Sequence, residues 1–182
     1  EGAGAAEEAW LAGFVPGAMV ERTGEGALPT PGMLDAAERL RRAELSFAAG
    51  RWEEARTGYF RLQRDAGLED LPTWSYAEWG MARCSLRLGQ PIPAVETLTS
   101  LLGMRPALEQ DAGLRAAAVA DLGRAYAALE QDAAEVEASL ARDLEGDELL
   151  AALEAAEEAW TAAGLAEEAR ALHSILLRRR AA

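Results

Sequence analysis

The residues that could carry chemistry in this 182-residue chain are few. His173 is the only histidine and Cys84 the only cysteine. One histidine cannot build a multi-histidine metal site within one chain, and no set of polar groups that would complete a His-based triad around it is recognisable. Cys84 lies in the apolar stretch Met81 to Leu88 and reads as a small core residue, with no histidine or second cysteine beside it to make a thiolate. No Walker loop or G-x-G-x-x-G run occurs, and Gly2-Ala3-Gly4 lacks the preceding strand that such a fingerprint needs. The pairs Glu7-Glu8, Glu53-Glu54, Glu157-Glu158 and Glu167-Glu168 read as solvated helix faces. The two carboxylates of a hydrolase would have to face each other across a cleft from separate elements. The chain therefore reads as non-catalytic, with no cofactor and no metal.

The elements that must position any site are helices. Ala (42) and Leu (26) make up more than a third of the chain, whereas Val, Ile and Thr together number only 14. A sheet draws on β-branched and aromatic residues, so a sizeable sheet is excluded and an all-α chain is expected. Lys and Asn are absent, and all 18 basic residues are Arg. That bias fits GC-rich coding and a bacterial source. Without Asn there is no N-x-[ST] glycosylation site.

The net charge of −13 opposes nucleic-acid or anionic-membrane partners, because each phosphate contact needs a local cation. No apolar run approaches the roughly 18 residues needed to span a bilayer. A single cysteine forms no internal disulfide and does not identify the compartment. The chain begins at Glu1 rather than Met, so it is expected to be a processed product or a fragment, with any signal peptide lying before it.

Two regions are expected. Residues 1–30 form an N-terminal arm: a short helix over Ala5–Phe14 with Trp10 and Phe14 as apolar anchors, then a Thr/Gly/Pro-rich linker. This arm is expected either to pack loosely or be disordered, or to dock Trp10 and Phe14 into a groove of the same or a neighbouring chain. Residues 31–182 form the folded domain. Helices are expected at about 31–49, 52–65, 73–88, 91–104, 111–129, 132–144, 147–163 and 165–180, with N-caps at Thr30, Thr73 and Asp147. Tight turns at Gly50, Gly89, Glu130 and Gly164 recur at intervals of 34 to 41 residues. A period in that range signals stacked helical hairpins.

The motifs within the hairpins sharpen this. The third contains Val119-x2-Leu122-Gly123-x2-Tyr126, and the second contains Ala82, Gly89, Ala94-x3-Leu98, Leu101 and Pro106. The first contains Ala43, Gly50 and Ala55-x3-Tyr59, and the fourth Leu153, Trp160, Gly164 and Ala169-x3-His173. On these residues the chain resembles the tetratricopeptide repeat (TPR) family. The resemblance spans residues 31 to 180 and implies an α-solenoid of about four helical hairpins, a right-handed superhelix with a concave groove. Small residues at Ala43, Ala82, Gly123, Ala55, Ala94 and Ala169 would bring the helices of a pair together. Tyr59, Leu98, Tyr126 and Trp160 would fill the space between layers. His173 takes a position where the pattern has an aromatic, so it is expected to pack. Arg39 and Glu78 stand where the aromatic belongs, and Glu157 takes a small-residue slot. Glu135 falls in the Ala slot of the third hairpin; a one-residue slide restores Val136, Leu140 and Leu144 as its apolar face.

The family resemblance implies a protein–protein scaffold whose first helices line the groove. Carried over, the groove residues are Leu40, Glu44 and Phe47 from the first hairpin, and Tyr76, Trp79, Arg83, Leu86 and Arg87 from the second. Arg124 comes from the third, and Glu154 and Glu158 from the fourth. Arg83 and Arg87, spaced i,i+4, share one helix face. These cations either pair with acids such as Glu44 or Asp121, or take a partner's carboxylate in Arg forks. The family's carboxylate clamp uses Asn and Lys and is excluded, since the chain has neither. Tyr76, Trp79 and Phe47 with Trp74 form an aromatic cluster, as core or as interface anchors. The face Leu165, Ala169, Leu172, Ile175 and Leu176 either covers the last repeat or pairs with a second subunit as a homodimer. The implied function is a scaffold or adaptor of a bacterial multiprotein complex, binding a peptide or helix segment. The alternatives are a secretion-system chaperone of TPR type and an extracytoplasmic subunit of envelope or pilus assembly. A soluble bacterial protein is expected, cytoplasmic rather than periplasmic.

Overall fold

A computed structural model describes residues 35–104, 108 and 111–181. The expected N-terminal arm, with Trp10 and Phe14, and the Thr30 cap lie outside the described residues. So do Arg105, Pro106 and Ala107.

Among the described residues eight α-helices follow one another: α1 (Ala36–Ala48), α2 (Trp52–Ala66), α3 (Leu71–Arg87), α4 (Pro91–Gly103), α5 (Ala112–Ala127), α6 (Ala133–Leu140), α7 (Gly146–Ala162) and α8 (Ala166–Ala181). A 3-10 turn, Gly67–Glu69, links α2 to α3. No strand occurs among the described residues. The helices pair in chain order, and α2 lies on α3, α4 on α5. Each amphipathic hairpin therefore buries its apolar side against the next, which makes a layered solenoid. One continuous core threads the layers, including Tyr59, Leu62, Leu98, Leu101, Leu122, Leu153 and Leu172.

The expected turns at Gly50 and Gly164 have φ of 72° and 79°, a region that favours glycine. The caps differ from expectation. Asp35 caps α1 in an extended conformation and accepts from Glu38 N, so the first described helix starts five residues later than expected. α3 is capped by Asp70, which accepts from Thr73 N at 3.2 Å, and Pro72 sits in the first turn; Thr73 is inside the helix. Asp147 likewise lies inside the first turn of α7, beyond Glu145. Asp111 and Asp132 cap α5 and α6. In a chain without Asn, Asp fills the cap and also meets the positive end of the helix dipole.

The sixth helix stops at Leu140, short of the expected 144, because turns occupy 141–143. Its apolar face is the slid one: Val136, Leu140 and Leu144 are all buried. With α6 only eight residues long, α5 packs directly on α7. There the close approach at Gly123 is to Ala152 of the next hairpin and not to its own partner helix. Ala43 does meet its own partner, at Gly58.

His173 is a correction. It is half-exposed, with Nδ1 3.0 Å from Glu157 Oε1, and not a packed residue. The aromatic slot it takes lies on α8, the last helix described, where no further layer covers it. Of the face expected for α8, Ala169, Leu172, Ile175 and Leu176 are buried in the array, while Leu165 is exposed.

Candidate functional site

α3 places Tyr76, Trp79 and Arg83 on one face by i, i+3, i+7 spacing. Across from it α1 presents Glu44 and Phe47, and α5 presents Asp121 and Arg124. Two carboxylates organise these side chains. Glu44 Oε1 accepts from the Tyr76 hydroxyl at 3.0 Å and from the Tyr59 hydroxyl of α2. Arg83 Nη1 lies 3.8 Å from the same oxygen. Asp121 accepts from Trp79 Nε1 at 2.8 Å on one oxygen and from Arg124 Nη1 at 2.7 Å on the other.

The Arg83 guanidinium is sandwiched. Its centre lies 4.1 Å from the Phe47 ring centroid and 4.5 Å from that of Trp79. The face of an aromatic ring attracts a cation, more so where water is excluded. Trp79 and Tyr76 meet edge to face, centroids 5.6 Å apart. Burial, and then the Glu44 charge, push the hydroxyls of Tyr59 and Tyr76 far above the usual tyrosine range, so both remain neutral donors.

The structure thus brings together Glu44, Phe47, Tyr76, Trp79 and Arg83, with Arg124 joined through Asp121. Phe47, Tyr76, Trp79 and Arg83 are buried, so the aromatics are core, and Arg83 pairs with Glu44 and Arg124 with Asp121. Arg87 and Arg124 are the exposed cations of the set. Leu86 and Trp74 are half-buried. Glu154 is engaged by Arg180 of α8, and Glu158 is exposed; neither joins the network among the described residues. Tyr59 was missed as a member; its aromatic slot marked it as packing, and a buried tyrosine hydroxyl needs a partner.

Other polar pairs hold neighbouring layers. Glu78, in place of the pattern's aromatic, is buried and accepts from Gln63 at 2.7 Å, and burial raises its pKa. Arg115 of α5 grips Glu148 of α7 through two bonds, 2.5 and 2.9 Å. Cys84 is fully buried and its thiol is pushed up to about 12, chiefly by burial. Among the described residues no group of three or more His, Cys, Asp or Glu is placed to hold a metal ion, and no helix is long and apolar enough to cross a membrane.

The layered hairpins have a counterpart among solved structures. The crystal structure of the nearly identical TPR-like repeats of a Podosopora anserina kinesin light chain superposes with a TM-score of 0.52, at 23% identity, over 90% of this chain and 82% of that one. The chain has a TPR-like repeat fold. No family model and no curated protein matches it. In this TPR-like array the first helices of the hairpins are α1, α3, α5 and α7, and the Glu44–Asp121 network ties together the first three.

Proposed function

We propose that the chain is a non-catalytic protein–protein interaction scaffold, holding a peptide or helix segment along α1, α3 and α5. The observation that carries this reading is the TPR-like layering with a polar network that fixes those three helices against one another. A binding face held rigid in advance loses less entropy when a partner docks. Upon that face the exposed guanidinium groups of Arg87 and Arg124 are the groups that reach a partner's carboxylate. Arg83 instead holds Phe47 and Trp79 in place. The Arg-only composition favours a bacterial complex as the setting.

The test is selection of binders from a displayed random-peptide library against the full chain. Arg87→Gln with Arg124→Gln is then the probe: both side chains are exposed, the replacement removes the charge without setting an acid against Asp121, and helicity by circular dichroism should be retained. Selected peptides should carry acidic residues and lose at least tenfold in affinity on the double variant, the size expected when one or more charge-assisted bonds are removed. Failure to select any peptide, or binding indifferent to the double variant, overturns the assignment.

A further inference from the structure

Arg124 stands in the last turn of α5, and its guanidinium is tied inward. Its side chain is 46% exposed, while that of Asp121, its partner one turn earlier, is only 12% exposed. Asp121 Oδ1 accepts from Arg124 Nη1 at 2.7 Å, and Asp121 Oδ2 accepts from Trp79 Nε1 at 2.8 Å. Trp79 is itself fixed: it is buried, with the Arg83 guanidinium over its ring and Tyr76 at its edge. A line of contacts thus runs from the core on α3 to an exposed cation on α5. Two exposed side chains paired in water hold their geometry poorly. Here the carboxylate is buried and anchored through its other oxygen, so it can hold the guanidinium in one orientation.

We propose that Asp121, held by Trp79, is a positioning residue that pre-sets Arg124 to take a side-chain carboxylate of the partner segment on its Nε–Nη2 edge. This rests on the scaffold reading above and adds to it which edge is used and what holds that edge in place. Among the described residues Nη1 is the guanidinium nitrogen with a partner, which leaves the Nε–Nη2 edge for docking. The Nε–H and one Nη2–H lie in one plane and point the same way, so they match the two oxygens of a carboxylate. A mobile arginine loses much rotamer freedom when it docks. Arg124 has lost part of that freedom on folding, so less is lost when the partner arrives.

Charge and positioning act with opposite signs here. Asp121 is an acid beside a site for acids. By charge alone it repels a partner's carboxylate, and its removal would strengthen capture. That repulsion is screened at the exposed end, over a Debye length of about 8 Å at 0.15 M salt. The fork acts at hydrogen-bond distance, where screening is slight. Asp121→Asn should therefore weaken capture of an acidic segment, although it removes a negative charge. Asn keeps an oxygen for the Trp79 indole and turns its amide, a donor, toward Arg124, so the guanidinium loses its acceptor.

The probe is the tightest acidic peptide selected against the full chain, synthesised with an amidated C-terminus so that its carboxylates are side-chain ones. At 0.15 M salt Asp121→Asn should weaken its binding at least about threefold, with helicity by circular dichroism unchanged. Trp79→Phe keeps a ring on Arg83 and removes the indole N–H, and should weaken it likewise; should that variant lose helicity, Asp121→Asn carries the test. Arg124→Lys keeps the charge without the planar fork and should weaken binding nearly as much as Arg124→Gln. A second readout needs no peptide: the NMR order parameter of the Arg124 Nε–H bond should stand above about 0.6 in the parent and below it in Asp121→Asn. Unchanged or tighter binding by Asp121→Asn overturns the proposal. So does Arg124→Lys binding as the parent does, or an Arg124 order parameter that Asp121→Asn leaves unaltered. Peptides that lose affinity on Arg87→Gln with Arg124→Gln but are indifferent to Asp121→Asn remove this proposal and leave the scaffold reading standing. Failure to select any peptide removes both.

Discussion

Gly123 of α5 lies against the backbone of Ala152 in α7, so close that a Cβ added to it would sit 1.9 Å from the Ala152 carbonyl oxygen. That atom is backbone in mid-helix and cannot swing aside. Gly123→Ala must push α7 away from α5, which also disturbs the two-bond Arg115–Glu148 pair between the same helices. Overpacking of this kind costs about 1–3 kcal/mol or more. Chemical denaturation should show the unfolding free energy falling by that amount, read as a lower midpoint at unchanged slope. An unaltered midpoint would mean that α5 and α7 are farther apart than described.

Glu44 is the acceptor for two tyrosines and the counter-charge of Arg83. Glu44→Leu leaves Arg83 buried without its carboxylate and strips both hydroxyls of a partner. A loss of about 3–5 kcal/mol is expected, as for the breaking of other buried pairs. Glu44→Leu combined with Arg83→Met should recover much of it, because replacing both charges is far less costly than orphaning one. A double-mutant cycle in denaturant measures the difference; simple additivity would argue against a coupled pair.

Glu78 gives a pH signature. Its pKa is raised in the folded chain, mainly by burial. Protonation therefore favours the fold: the stabilising contribution is complete below the unfolded carboxyl value, about 4.3. It is lost as pH rises through the higher folded value. Glu78→Gln keeps an oxygen to accept from Gln63 and removes the charge. The variant should be the more stable at neutral pH by up to about 1 kcal/mol, and the gap should close on acidification through that window. Thermal melts of both proteins from pH 4 to neutrality report it; a gap that does not change with pH would contradict the burial of the carboxylate.

Cys84 should be silent toward thiol reagents. It is fully buried and its thiol is raised to about 12, so thiolate is scarce at neutral pH. Modification should follow global unfolding, with a rate that rises across the denaturant transition. Fast labelling of the native chain would place Cys84 near the surface.

The periodic features were legible in sequence because they are local. Gly50, Gly89 and Gly164 mark turns by a backbone need that no neighbour alters. The i,i+4 spacing put Arg83 and Arg87 on one side of α3 without any structure. What lay beyond reach was which partner each side chain meets. Whether Arg83 faces solvent depends on Phe47, 36 positions away on another helix. Gly123 announced a close approach, but a sequence does not say to which helix; the shortness of α6 decides it. Thr73 lost its expected cap role to Asp70, three residues earlier, whose carboxylate is a strong acceptor with Pro72 already in helical geometry.

The face of α3 that carries Tyr76, Trp79 and Arg83 donates to a carboxylate in the layer before it and to one in the layer after it. Stacked arrays behave like a row of coupled spins, and most can unzip from an end one unit at a time. Here, unzipping the first hairpin would strand Arg83, and detaching the third would strand the Trp79 indole. The middle hairpin acts as a clasp, so the first three layers melt together in one cooperative step.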